Sequence, residues 1–198
     1  NFERYKFIKL ININDYDKIN KIEIISKYRT LAQKNFKTDK DFYFFKTHSA
    51  NIALNNFKYT NEENTLGLIY IIRDPRDIVI SYAKFMNISI DKSIKKITNT
   101  KNVAKTMLRD NKKLPFILSS WDLNYQSWEL LKVPKLFIFY EDLLKDPTLV
   151  LYKIIDFFNI KIGLNTKDFD IKFDNIIQST SFSMMQKNEN KFGFNEAT

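Results

Sequence analysis

Three short clusters in this sequence hold side chains that could move a proton or grip an anion: Lys46-Thr47-His48, Arg73-Asp74-Pro75-Arg76-Asp77 and Tyr140-Glu141-Asp142. His48 is the single histidine of the chain. A neutral imidazole, with an unperturbed pKa of about 6.5, suits proton abstraction near neutral pH, and a lysine of depressed pKa is the other side chain that could serve. Lys46 stands two residues earlier, so in an extended segment both side chains share a face. An ammonium there would oppose negative charge developing on a reacting group. Arg73 brings a guanidinium to what reads as a strand-to-helix junction. Free helix N–H groups, the positive end of the helix dipole and a bidentate donor together suit a phosphate. Ser81, two turns along the same helix, adds a hydroxyl for a ligand lying along the axis.

Each residue also has a plainer reading. A histidine at a strand end can be a structural hydrogen-bonding group. Arg73 can pair with Asp74 or Asp77 in a surface ion pair worth under ~1 kcal/mol. Ser81 can be a small packing residue, and Tyr140 a core aromatic whose hydroxyl meets a backbone group.

The elements that would position these clusters are legible as alternating strands and helices. Residues 14–36 carry Ile19, Ile22, Ile25 and Leu31 at helical spacing. The aromatic run 41–47 and the β-branched run 66–72 have the two-sided apolar character of buried strands. The second run stops at Arg73, where Asp74 as N-cap and Pro75 as first helical residue open a helix. Residues 90–112 are Lys-rich and read as a helical outer layer or lid with a solvated face. Residues 118–131 form another helix, with Trp121, Tyr125 and Trp128 near one face as core aromatics. Lys135–Tyr140 is a third buried-type strand, and Asp146-Pro147 opens a helix running through Phe158. This alternation predicts an α/β fold: a parallel sheet with helices on both faces. In such sheets ligands bind beyond the carboxyl ends of the strands. The three clusters sit at those ends and converge on one crevice if their strands are neighbours.

Composition narrows the classes. The 198 residues are 44% hydrophobic and 15% aromatic with only three Gly and four Pro, which predicts one globular unit rather than a linker-rich or disordered chain. The net charge of +9 is spread over lysines along the chain. It permits an anionic ligand, but no recognition motif for nucleic acid accompanies it. The absence of Cys excludes disulfide frameworks and thiolate metal sites. The apolar runs are far shorter than the ~20 residues of a membrane-spanning helix, and the first residues lack a signal peptide's apolar stretch. A cytoplasmic location fits these features. The sequence is silent on oligomeric state.

Tyr70-Ile-Ile-Arg-Asp-Pro-Arg-Asp-Ile-Val-Ile-Ser-Tyr82 resembles the 3′-phosphate-binding motif of the sulfotransferases that use 3′-phosphoadenosine 5′-phosphosulfate (PAPS). Three further segments resemble that family and occur in its order: Phe44-Phe-Lys-Thr-His48, Phe137-Ile-Phe-Tyr-Glu-Asp-Leu-Leu-Lys-Asp-Pro147 and Ser179-Thr-Ser-Phe-Ser-Met-Met185. The resemblance implies a P-loop NTPase-like central parallel sheet flanked by helices on both faces. It implies sulfuryl transfer from PAPS to a small-molecule or glycan hydroxyl acceptor, without a metal. By position, His48 matches the general base and Lys46 a lysine near the reacting group. Arg73 and Ser81 match the 3′-phosphate pair, and Tyr140, Thr180 and Phe182 match residues lining the adenine pocket.

The sequence also departs from the family pattern. The family carries a Pro-Lys-Ser-Gly-Thr-Thr-Trp-like loop that binds the 5′-phosphosulfate and an Arg-Lys-Gly segment near its C-terminus. Neither occurs here: Gly67, Gly163 and Gly193 stand in other contexts. The expectation is a single sulfotransferase domain truncated at both ends, with little or no turnover by these residues alone. A kinase on a related fold is disfavoured because its Gly-Lys-Ser/Thr loop is missing. A non-catalytic domain that recognises a nucleotide 3′-phosphate, or another partner, on the same fold is the alternative.

Overall fold

A computed structural model describes residues 22–35, 43–104, 115–163 and 169–193. In chain order the described elements begin with α1 (Ile22–Lys34), a 3-10 turn (Glu62–Asn64), β1 (Leu68–Ile72), α2 (Pro75–Phe85) and α3 (Ile90–Ile97). They continue with β2 (Val103–Ala104), β3 (Phe116–Ile117), α4 (Trp121–Glu129), β4 (Lys135–Phe139) and α5 (Tyr140–Lys145). The last are α6 (Pro147–Asp156), a π-helical turn (Phe157–Lys161), α7 (Phe169–Ser179) and α8 (Phe182–Phe192). They fall into two compact units, one drawn from 1–66 and 73–133, the other from 67–72 and 134–198.

The second unit holds the parallel pair. β1 and β4 run in register from Leu68↔Lys135 to Ile72↔Phe139, and the long excursion between them supplies the crossover that parallel strands need. The β-branched and aromatic content of Leu68-Ile-Tyr-Ile-Ile72 suits the pleated surface. Gly67 opens β1 where a Cβ would collide with the Ile162 side chain and crowd Phe157 and the Pro134 carbonyl. Ile138, Val150, Phe157 and Phe173 are buried in this unit, and Tyr152 stacks on Phe173 with ring centroids 4.3 Å apart.

In the first unit, α2 and α3 pack against each other through Ser93, which is fully buried and donates its hydroxyl to the Val79 carbonyl at 2.7 Å. Arg29 on α1 donates to the Pro115 carbonyl and lies 4.8 Å above the Tyr59 ring. Burial pushes this guanidinium's pKa below its usual value, with the Tyr59 charge acting the other way. Tyr59 in turn meets Trp128 edge-on at 5.9 Å. Of the aromatic face expected in the core, Trp128 is buried, while Trp121 and Tyr125 are half-buried.

Four local expectations are corrected. Residues 43–47 of the aromatic run are not in a ladder, and Phe44 is 66% exposed. A strand exists only with a hydrogen-bonding neighbour, and among the described residues no strand pairs with this run, whereas β1 and β4 pair as expected of neighbours. The helix placed at 90–112 ends at Ile97, because Thr98 caps it by donating to the Ile94 carbonyl at 2.8 Å and Asn99 turns the chain. β2 then pairs antiparallel with β3, while 105–114 lie outside the described residues. The helix placed at 118–131 starts only at Trp121, because Ser119 takes a positive φ of 61° and turns the chain first. The helix expected through Phe158 gives way after Asp156 to the π-helical turn, where the Ile162 N–H reaches the Phe157 carbonyl. Of the helix placed at 14–36, the described part is α1, and 14–21 lie outside the described residues.

Candidate active site

Lys46 and His48 are exposed, with Thr47 half-buried between them, in a segment outside helix and strand. Immediately after His48 the chain is strapped down. The Thr47 hydroxyl accepts from the Ser49 N–H at 3.0 Å. The Ala50 N–H donates to the Ile117 carbonyl at 2.7 Å, and the Ser49 hydroxyl donates to the same carbonyl at 3.2 Å. From α4, the Trp128 indole N–H donates to the Ser49 carbonyl at 2.9 Å, and the Ser127 hydroxyl accepts from the Asn51 N–H at 2.8 Å. Asn124, one turn earlier on α4, donates through Nδ2 to the His48 carbonyl at 3.2 Å and to the Leu118 carbonyl at 2.8 Å. The His48 ring itself stacks on Phe116, 6.4 Å between centroids at 30°. A solvent-accessible imidazole on an anchored backbone is what a general base needs.

Arg73 follows β1 directly and precedes a fully formed helix start. Asp74 is the N-cap of α2, Pro75 its first residue, and the Asp74 carboxylate accepts from the Arg76 N–H at 2.8 Å. The same carboxylate takes the Arg76 guanidinium through Nε at 3.0 Å and Nη2 at 2.5 Å. Those bonds hold the Asp74 pKa down at about 2 and raise that of Arg76. The helix start therefore already holds one anion, its own cap, which takes one of the N–H groups that the sequence left free for a ligand. Arg73 itself is half-buried, with its Nε withdrawn from solvent. Ser81 is exposed on α2, about 9 Å along the axis from Pro75 at 1.5 Å per residue.

Tyr140, Thr180 and Phe182 belong to the second unit. Tyr140 is the first residue of α5, half-buried, directly after the β4 terminus at Phe139. Thr180 is exposed and donates its hydroxyl to the Ile176 carbonyl at 2.7 Å, closing the end of α7. Phe182 opens α8 behind the Ser181 cap, and its side chain lies outside the described residues. Lys46 and His48 thus stand exposed on one stretch outside helix and strand, and Arg73 and Ser81 belong to one junction and helix. Thr180 and Phe182 flank a single turn. Sequence reasoning missed Asn124, Ser127 and the hydrogen-bonding role of Trp128. The aromatic stripe of α4 was visible, but nothing local told which backbone its polar groups would reach.

Among the described residues, no group of His, Cys, Asp and Glu is disposed to hold a metal ion. No helix there is long and apolar enough to cross a membrane.

Comparison with known proteins bears on this arrangement. The profile of the sulfotransferase domain family matches residues 1–193, and the chain belongs to that family. Bovine (Bos taurus) sulfotransferase 1A1 is 30% identical over 123 residues, which make up 61% of this chain and 38% of the relative. Rat (Rattus norvegicus) sulfotransferase 1A1 is 28% identical over the same shares. The chain spans about two fifths of the length of these relatives. A crystal structure of mouse sulfotransferase SULT7A1 complexed with PAP is 27% identical, covering 65% of this chain and 45% of that one at a TM-score of 0.43. The fold class is that of the family: α/β, with a parallel strand pair and flanking helices.

Proposed function

We propose that the protein transfers a sulfuryl group from PAPS to a small-molecule or glycan hydroxyl in the cytoplasm, with His48 as general base. The observation that carries this reading is the strand–Arg73–Asp74–Pro75–helix junction in a chain of the sulfotransferase family. Arg73 and Ser81 bind the 3′-phosphate; Tyr140, Thr180 and Phe182 line the adenine pocket. PAPS supplies the activated S–O bond. His48 takes the acceptor's proton as the acceptor oxygen bonds to sulfur and the bond from sulfur to the phosphate oxygen breaks. Lys46, on the face of His48, sets its ammonium against the negative charge that grows on the sulfuryl oxygens and the leaving phosphate. No metal takes part.

The residues present fit a 3′-phosphate because Arg73 offers a partly desolvated guanidinium, where charge-assisted bonds are stronger than in open water. The test is calorimetric titration of the full-length protein with adenosine 3′,5′-bisphosphate (PAP) and with adenosine 5′-phosphate. Arg73→Ala should weaken PAP roughly ten- to a hundredfold, the loss of charge-assisted bonds worth about 1.5–3 kcal/mol. The 5′-phosphate alone should bind the variant as it binds the wild type. Equal PAP affinity in wild type and variant would remove Arg73 from the site.

A further inference from the structure

We infer that Asn124 and Phe116 are positioning residues for His48, with Trp128 anchoring the next residue, so that α4 and β3 together fix where the imidazole sits. The inference rests on the reading of His48 as the base and extends it to groups remote in sequence.

Three contacts carry it. Asn124 spends both hydrogens of one amide on two carbonyls, His48 at 3.2 Å and Leu118 at 2.8 Å, bridging the base's own peptide to the turn that leads into α4. Trp128, one turn further along α4, holds the Ser49 carbonyl at 2.9 Å with its indole N–H. Trp128 is in turn braced edge-on by Tyr59. Phe116, on β3, supplies the face against which the imidazole stacks. The backbone at the His48 and Ser49 carbonyls is thus clamped from one helix, while the exposed His48 side chain stacks on Phe116. Two consecutive carbonyls bound by side chains one helical turn apart make a register-specific clamp. Catalysis requires a reacting side chain held to a few tenths of an ångström, and a clamp on the backbone beside it serves that end.

Asn124→Asp is the sharpest probe, since it keeps the shape and removes both donors. In the full-length protein we expect a melting temperature close to wild type and a PAPS KM little changed. We expect kcat to fall roughly ten- to a hundredfold, the scale for misplacing a reacting group. A second readout is independent of turnover: the imidazole NMR signal of labelled histidine, assigned as the one that His48→Gln abolishes. It should shift or broaden in Asn124→Asp and in Phe116→Leu. Should Asn124→Asp fail to fold, Trp128→Phe keeps an aromatic side chain while removing the indole N–H with part of the ring system, and it must move the same signal. A folded Asn124→Asp with wild-type kcat and an unmoved His48 signal overturns the inference, as does an unmoved signal in Trp128→Phe. If His48→Gln keeps full activity, the base assignment falls instead, while the NMR signal still reports whether Asn124 and Phe116 place the ring.

Discussion

Arg73, Asp74 and Arg76 show how neighbouring charges take different tasks. Asp74 is committed twice, to the Arg76 N–H and to the Arg76 guanidinium, which lowers its pKa to about 2 from the usual 3.8. A depressed carboxylate pKa stabilises the folded state at pH values above the ordinary pKa, and that contribution is lost as pH falls through the folded value. Between about pH 4 and pH 2, therefore, the start of α2 should lose stability as Asp74 protonates. A carbonyl-detected NMR titration should find its midpoint near 2, and a midpoint near 3.8 would show that the Arg76 pair is not held in solution. Asp74→Asn retains a capping side chain but not the charge, so it should flatten the pH dependence of unfolding in that window. The cap and the N1 proline were legible in the sequence, because they act within three residues, whereas the Asp74–Arg76 pair was not. Asn124 was not, because its bond to His48 spans 76 positions and only the fold reveals it.

Elements were legible in proportion to how much of their cause is local. α2 was readable from its cap, β1 and β4 from their β-branched and aromatic runs, and α4 from its aromatic stripe. The run before His48 has the same strand-like composition but no ladder among the described residues, since composition does not say who the neighbour is. Ser119 hid its turn because a positive φ in a non-glycine residue has no sequence signal. Gly67 was set aside as lying outside any phosphate loop. Its place in the structure is steric: it lets β1 begin beside Ile162, Phe157 and Pro134. Gly67→Ala should cost about 1–3 kcal/mol, the usual penalty for overpacking, read as a lower urea midpoint at unchanged slope. Should Ile162 swing aside freely, the cost would be near zero. Ser93 makes a matching case in the first unit. It reads as one more polar residue of a lysine-rich helix, yet it is fully buried with its hydroxyl on Val79. Ser93→Leu should therefore destabilise by a similar ~1–3 kcal/mol, and a neutral result would mean that α2 and α3 separate readily.

At the scale of the molecule, family membership and residue geometry bear on different parts of the account. The match over residues 1–193 sets the class of fold. The geometry shows His48 and Lys46 exposed, with Asn124 and Trp128 bonded to the backbone of His48 and Ser49 and Phe116 against the imidazole. The proposed division of labour separates binding from proton transfer, with Arg73 for the first and His48 for the second, so single substitutions should split the two functions. The direct measurement is sulfuryl transfer from 35S-labelled PAPS to a panel of simple phenols and alcohols by the full-length protein and its His48→Ala variant, with PAP affinity measured on both. The account predicts a loss in turnover on the order of 10²–10⁴-fold, the usual contribution of a general base, with PAP binding intact. Turnover by His48→Ala at the wild-type rate would contradict it.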